Sequence, residues 1–185
     1  FKIKLDPKLP TYVISDRIKL DRILLNLVGN AIKFTDQGYV KLSVKLLSVN
    51  ADEATIIFTV SDTGIGIPKD KIDKIFDQFY RVKPSYEGKY SGYGIGLFIV
   101  KRFVSLLGGE IEVRSKLGKG TICKMTLPFK ITASTEADSH RSYVKPTFAV
   151  KPSPLKDQRS KETKPLVSKN ALKVLIIGMI MLLEE

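Results

Sequence analysis

Three stretches of this chain carry residues whose types and spacing suit the handling of a phosphate or a metal. In residues 91–97, Ser-Gly-Tyr-Gly-Ile-Gly-Leu, glycines 92, 94 and 96 lead without a break into an apolar helix pattern. Glycine removes side chains where a backbone must come close, and the first N–H groups of a helix have no partner within it. Such a junction can receive an anion. It is not a P-loop, because no Gly-Lys-Ser/Thr ends the run, and its Gly-x-Gly-x-Gly spacing, with no strand leading into it, is not the dinucleotide fingerprint. The second stretch, residues 61–68, reads Ser-Asp-Thr-Gly-Ile-Gly-Ile-Pro, a carboxylate at the end of an apolar run followed by two glycines and a helix-starting proline. Asp62 there can cap a turn, or act as an acceptor for a ligand's donor. The third is a set of side chains, Asn26, Asn30 and Lys33, which i, i+4 and i+3 spacing puts on one side of a helix. A solvated face is the plain reading of such a set, but asparagine is a mediocre helix former that a merely wet face would replace with Glu or Lys.

These groups need a frame, and the hydrophobic pattern supplies one. A helix is predicted from a cap at Ser15 or Asp16 to about Phe34, with Ile23, Leu24, Leu27, Val28, Ala31 and Phe34 on its apolar side. Before it, FKIKL and TYVI are short extended pieces, separated by a DPKLP segment whose prolines exclude helix. Residues 38–49 alternate Val40, Leu42, Val44 and Leu46 with Lys41, Ser43 and Lys45, and residues 54–60 form a second strand, so the pair reads as an antiparallel hairpin with its turn at 50–53. Residues 69–79 read as a short helix ending in IFDQFY, with Phe76 and Phe79 placed to pack. The polar, basic, tyrosine-bearing residues 81–90 suit a lid. After the second long helix, Gly108 and Gly109 stop it, and strands follow at 110–115 and 121–129. Cys123 lies on the same strand face as Met125, Leu127 and Phe129, and reads as a core residue rather than a reactive thiol.

The 185 residues allow one domain of ordinary size with some length to spare. The longest apolar run, residues 174–183, is half of the roughly 20 residues a spanning helix needs, and no signal peptide is visible. A lone cysteine means no internal disulfide, which fits a reducing cytosol. The net charge of +12 invites a nucleic-acid reading. Residues 130–173, however, hold ten Lys/Arg against four Asp/Glu, so half of the excess sits in a stretch with little periodicity. Prolines 146, 152, 154 and 165 among Ser, Thr and Lys make residues 130–171 a flexible basic linker, and residues 172–185 resemble the first strand of another domain.

Taken together, LLNLVGNAIKFT, DTGIGIP, IFDQFYRV and GYGIGL resemble the N box, first glycine box, F box and second glycine box of a known family. That family is the ATP-binding catalytic domain of sensor histidine kinases, in the superfamily shared with gyrase-type topoisomerases, chaperone and mismatch-repair ATPases, and the resemblance covers residues 10–129. It implies an α+β fold, a two-layer α/β sandwich of the Bergerat type, whose mixed, mostly antiparallel sheet is covered on one face by helices. It also implies ATP and Mg²⁺ as cofactors. Asn30 would supply an oxygen to the metal, as suits a hard cation, with Asn26 and Lys33 beside the triphosphate and Asp62 on the adenine amino group. Gly64 and Gly66 would pass close to the base, and Gly92, Gly94, Ile95, Gly96 and Leu97 would line the phosphate side. Phe79 belongs to the F box, Arg81 and Lys89 would reach the phosphates from the lid, and Thr121 matches the family's hydroxyl near the adenine. Ser91 and Tyr93 depart from the usual Gly and small Thr or Ser, and Arg22 stands where Gln is frequent.

In the ATPase relatives a carboxylate one helical turn before the metal-binding Asn orients water; here that position is Asn26. Without a base there, transfer of the γ-phosphoryl group to a protein nucleophile is favoured over hydrolysis. The only histidine, His140, lies in the linker without helical heptads around it and is expected to be incidental. The resemblance therefore implies a cytoplasmic kinase module, or the cytosolic part of a membrane-anchored sensor. Its partners would be a phosphoacceptor and dimerisation domain preceding Phe1, in a homodimer, and a response-regulator receiver domain, with no nucleic acid and no membrane contact of its own. Residues 172–185 would begin a receiver-like domain, as in hybrid kinases, although Gly178 and Met179 stand where an acidic pair is expected. The competing readings are a degenerate nucleotide-binding or docking module and, more distantly, a nucleic-acid binder acting through the basic linker.

Overall fold

The structure is a computed structural model, and it describes residues 1–82 and 93–131. Lys89, Ser91 and Gly92 of the expected lid and glycine loop lie outside the described residues. So do His140, most of the expected linker and the whole of residues 172–185.

Five strands form one mixed sheet. They are β1 (Lys2–Leu5), β2 (Val40–Val49), β3 (Glu53–Asp62), β4 (Glu110–Lys116) and β5 (Gly120–Lys130), in the order β1-β2-β3-β5-β4. β1 runs parallel to β2, and the other pairings are antiparallel. The parallel pair needs a crossover, and α1 (Arg17–Lys33) provides it. Asp16 caps α1 by accepting the Lys19 N–H at 3.0 Å, while the Lys19 ammonium pairs with the same carboxylate and holds its pKa down. Leu20, Ile23, Leu24, Leu27, Val28 and Ala31 form the buried side of α1.

The β2–β3 hairpin turns on Asn50, whose side chain accepts the N–H groups of Asp52 and Glu53. Strand alternation then sends one set of side chains inward, with Val40, Leu42 and Val44 of β2 beside Ala54, Ile56, Phe58 and Val60 of β3. Met125, Leu127 and Phe129 of β5 complete the buried layer, with Phe58 and Phe129 in tilted ring contact at 6.0 Å. A second helix, α2 (Gly96–Leu106), packs beside α1 and buries Val100 and Val104. It stops in a Schellman motif, in which Gly109 N–H donates to the Val104 carbonyl and Gly108 N–H to that of Ser105, with Gly108 at φ 75°. The result is an α+β, two-layer arrangement with an open sheet, as expected.

The expected helix over 69–79 is shorter than its pattern. Only Lys69–Lys74 is helical, as a 3₁₀ turn, and residues 75–79 follow as turns. Phe79 adopts φ 63°, a left-handed conformation that no L-residue helix can propagate. Phe79 is also not packed: it is 65% exposed. Ile75 takes the buried position instead, and Phe76 is half-buried under the Lys101 ammonium, 5.4 Å from its ring.

Candidate functional site

The end of β3 delivers Asp62 to the rim of the sheet. Its Oδ1 accepts two backbone N–H groups, from Gly64 at 2.9 Å and from Thr121 at the start of β5 at 3.2 Å. Its Oδ2 makes no hydrogen bond among the described residues. Burial raises the pKa of Asp62 above the ordinary 3.8, and those two bonds oppose the rise. Beneath it, the Cys123 thiol is pushed up to about 12, first by burial and then by the Asp62 charge, so it is no nucleophile at neutral pH.

The loop after Asp62 is tied on both sides. Ile65 N–H donates to the Phe34 carbonyl at the end of α1, and Gly118 N–H donates back to the Ile65 carbonyl at 2.7 Å. Ile67 N–H reaches the Ser115 hydroxyl of β4 at 2.8 Å. These ties explain the glycines in a way the sequence could not. A Cβ on Gly64 would strike the Phe34 carbonyl, and one on Gly66, at φ 67°, would strike that of Lys116. The close approaches that demand glycine here are made by the protein's own backbone. Beside them, the Thr35 hydroxyl is buried without a hydrogen-bond partner among the described residues.

The second group of candidates lies along α1 and at the start of α2. Asn30 makes no side-chain hydrogen bond among the described residues, whereas Asn26 is committed: its Nδ2 donates to the Arg22 carbonyl at 2.8 Å. Its Oδ1 faces Gly96, where a Cβ would come within 2.6 Å. α2 thus begins directly against Asn26. No side chain caps that helix, in contrast to α1 with its Asp16 N-cap, and neither first turn holds an acidic residue. Gly94, at φ 70°, lets the chain pass the backbone of Phe79 and Tyr80. Leu97 packs against the core, and Tyr93 is 87% exposed. The pKa of Lys33 is lowered by burial and then by the nearby Arg81 charge, so two cations share one neighbourhood. Thus the fold brings Asp62, Gly64 and Thr121 together at one end and Asn26, Gly96 and the α2 N-terminus together at the other. It also sets Arg81 near Lys33.

The profile of the family described as histidine kinase-, DNA gyrase B- and HSP90-like ATPase matches residues 15–131. The chain belongs to this family. Among relatives of this ATPase domain, the autoinducer 2 sensor kinase/phosphatase LuxQ of Vibrio parahaemolyticus is 43% identical over 64% of the chain and 14% of its own length. The aerobic respiration control sensor protein ArcB of Escherichia coli K12 is 44% identical over 68% of the chain and 16% of its length. The chain therefore spans less than a fifth of either relative. Among solved structures, full-length ShkA in complex with AMPPNP superposes with a TM-score of 0.56 at 33% identity, covering 71% of the chain and 27% of ShkA. The mycobacterial sensor histidine kinase MprB gives 0.51 at 28%, covering 69% of the chain and 80% of MprB. No helix among the described residues is long and apolar enough to cross a membrane.

Sequence reasoning missed Ser115. Its signal was available: β4 points Ile111, Val113 and Ser115 the same way, and the third member of that inward row is polar.

Proposed function

We propose that residues 1–129 bind ATP with Mg²⁺ and donate the γ-phosphoryl group to a histidine on a separate phosphoacceptor and dimerisation domain, in two-component signalling. The observation that carries this reading is Asp62. One carboxylate oxygen is fixed by two N–H donors and the other has no partner among the described residues, at the rim of a sheet in a chain of this ATPase family. That geometry suits an adenine amino group, which donates. At the other end the uncapped start of α2, with Lys33 and Arg81 near each other, suits a triphosphate.

Asn30, whose amide oxygen has no hydrogen-bond partner among the described residues, is the residue we assign to Mg²⁺. An amide oxygen fits a hard cation, and among the described residues no group of three or more His, Cys, Asp or Glu side chains could hold a metal on its own. When bound, Mg²⁺ supplies neutralisation of phosphate charge. The protein's own residues position the nucleotide: Asp62 and Thr121 at the base, Lys33, Arg81 and the α2 N–H groups at the phosphates, with Lys89 and Gly92 assigned there by resemblance.

Asn26 cannot act as a general base, and its amide is already spent on Arg22 and turned toward Gly96. That favours transfer to a protein nucleophile over hydrolysis. The bond from phosphorus to the bridging β-oxygen breaks, ADP leaves with the electron pair, and the histidine nitrogen forms the new bond. The partners are the phosphoacceptor domain and a receiver domain. Residues 130–171 serve as a linker, residues 172–185 begin a receiver-like domain, and the module works in the cytoplasm. The docking-module reading would be favoured if Tyr93 blocked the phosphate cradle; Tyr93 is 87% exposed, which does not favour it.

A fluorescent ATP analogue titrated into the purified chain is expected to bind in a Mg²⁺-dependent way. Labelled ATP is expected to leave no phosphate on the chain alone and to phosphorylate a phosphoacceptor domain added to it. Absence of binding, or label on the isolated chain, contradicts the proposal.

A further inference from the structure

The Ser115 hydroxyl sits at a three-way junction. It lies 2.8 Å from the Ile67 N–H, 2.9 Å from the Gly120 carbonyl oxygen and 2.9 Å from the Thr121 hydroxyl. A serine hydroxyl has one proton to give and two lone pairs to fill. The Gly120 carbonyl can only accept, so the Ser115 proton goes there. The Ile67 N–H fills one lone pair, and the remaining one is satisfied only if Thr121 donates its own proton to Ser115. The Thr121 hydroxyl therefore faces any other neighbour as an acceptor. Its backbone N–H is also spent, on Asp62 Oδ1.

We propose that Ser115 is a positioning residue that sets the polarity of the cleft: by taking the Thr121 proton it makes Thr121 and Asp62 a pair of acceptors, selecting a purine with a 6-amino group over one with a 6-oxo group. This rests on the adenine-nucleotide reading above and adds to it the group that enforces base selection. A 6-amino group has two protons to offer such a pair, whereas a 6-oxo group brings lone pairs toward lone pairs. Ser115 has a mechanical task as well, because the same hydroxyl anchors the Ile67 end of the loop that carries Gly64 and Gly66. Selection and loop placement thus share one atom.

The test compares ATP with inosine triphosphate, which differs by the 6-oxo group, for binding to the full 185-residue chain. The unaltered chain is expected to favour ATP. In S115A the freed Thr121 hydroxyl can turn and donate, and the preference is expected to narrow by about three- to tenfold, the range spanned by one ordinary hydrogen bond. S115T, which restores a hydroxyl, is expected to restore the preference. S115C keeps the size but hydrogen-bonds weakly, so it is expected to narrow the preference as S115A does, and it carries the test if S115A does not fold. A merely structural role would weaken both nucleotides by one common factor. Equal weakening, an unchanged preference in S115A or S115C, or failure of S115T to rescue each overturns the inference while leaving the nucleotide reading intact. If the unaltered chain binds neither nucleotide, that reading falls and takes the inference with it.

Discussion

The two ends of the candidate site are built on opposite plans. At the Asp62 end, backbone and side-chain groups are tied to one another: Asp62 to Gly64 and Thr121, Ile67 to Ser115, Ile65 to both Phe34 and Gly118. At the Asn30 end, fewer such ties are seen among the described residues. Asn30 has no partner among the described residues, α2 starts without a side-chain cap, burial and then the Arg81 charge lower the pKa of Lys33, and Phe79 holds a left-handed backbone. The first end is organised before a ligand arrives, so little ordering entropy is lost on binding. The second is completed by one, since an anion would satisfy the helix N–H groups.

The sharpest way to break this comparison is to invert the Asp62 carboxylate oxygen that has no partner among the described residues. Asp62→Asn keeps an oxygen for the Gly64 and Thr121 N–H groups but turns an NH₂ toward the base. ATP affinity is expected to fall about 10- to 100-fold, as for loss of a hydrogen bond to a charged group. The pH dependence carries two signs. Burial raises the folded pKa of Asp62 above the ordinary 3.8, so between the two values the folded chain holds more protons than the unfolded one. Stability from this group therefore falls as pH rises from about 4 through the raised pKa, and the cost is complete above it. ATP affinity moves the other way, increasing as the carboxylate ionises. At neutral pH the Asn variant is expected to unfold no lower than the parent while binding worse, and its affinity is expected to lose the acid-side decline. Calorimetry over pH 4–8 and a thermal melt check both; equal affinity in parent and variant removes Asp62 from the site.

A smaller effect is expected from the open end. Asn30→Ala deletes an uncommitted amide oxygen from the polar side of α1 and leaves its buried side untouched, so the fold is expected to hold. The gain in ATP affinity on adding Mg²⁺ is expected to shrink by about tenfold, with Mg²⁺-free binding little changed. A titration with and without Mg²⁺ separates the two, and an undiminished Mg²⁺ effect would show that Asn30 does not hold the metal.

The same contrast marks what could be read from the sequence. α1 was legible because period, cap and polar side agree: Asp16 at the start, Ile23, Leu24, Leu27, Val28 and Ala31 buried at helical spacing and the Asn26–Asn30–Lys33 row opposite, although Leu20 is the sixth buried residue and Phe34, expected on the apolar side, is the C-cap. The β2–β3 hairpin was legible from its alternation and the Asn50 turn. That β1 pairs with β2 in parallel was not, since alternation fixes a strand's faces but neither its neighbour nor its direction. The glycines were legible as places of close approach, yet sequence spacing does not say what approaches, and at Gly64 and Gly66 it is the Phe34 and Lys116 carbonyls. Residues 75–79 misled because an apolar spacing that fits a helix says nothing of a single left-handed residue at its end.

That residue offers the finest test. A bulky side chain at φ 63° costs roughly 1–3 kcal/mol unless its surroundings hold it there, and Phe79 at 65% exposure has little packing to do so. What holds it is the Gly94 turn, where the chain runs against the Phe79 backbone. Phe79→Gly relieves the strain and loses little burial, although glycine's freedom in the unfolded chain takes back about 0.5–1 kcal/mol. The unfolding free energy of the ligand-free chain is therefore expected to rise, by about 2 kcal/mol at most. If the open end is where the fold stores its discomfort until a phosphate arrives, the gain in denaturant titrations is expected to be smaller with saturating ATP and Mg²⁺, so ATP affinity drops slightly in the variant. An equal gain with and without nucleotide would mean that the Phe79 strain is indifferent to the ligand, and the two ends would then differ in wiring alone.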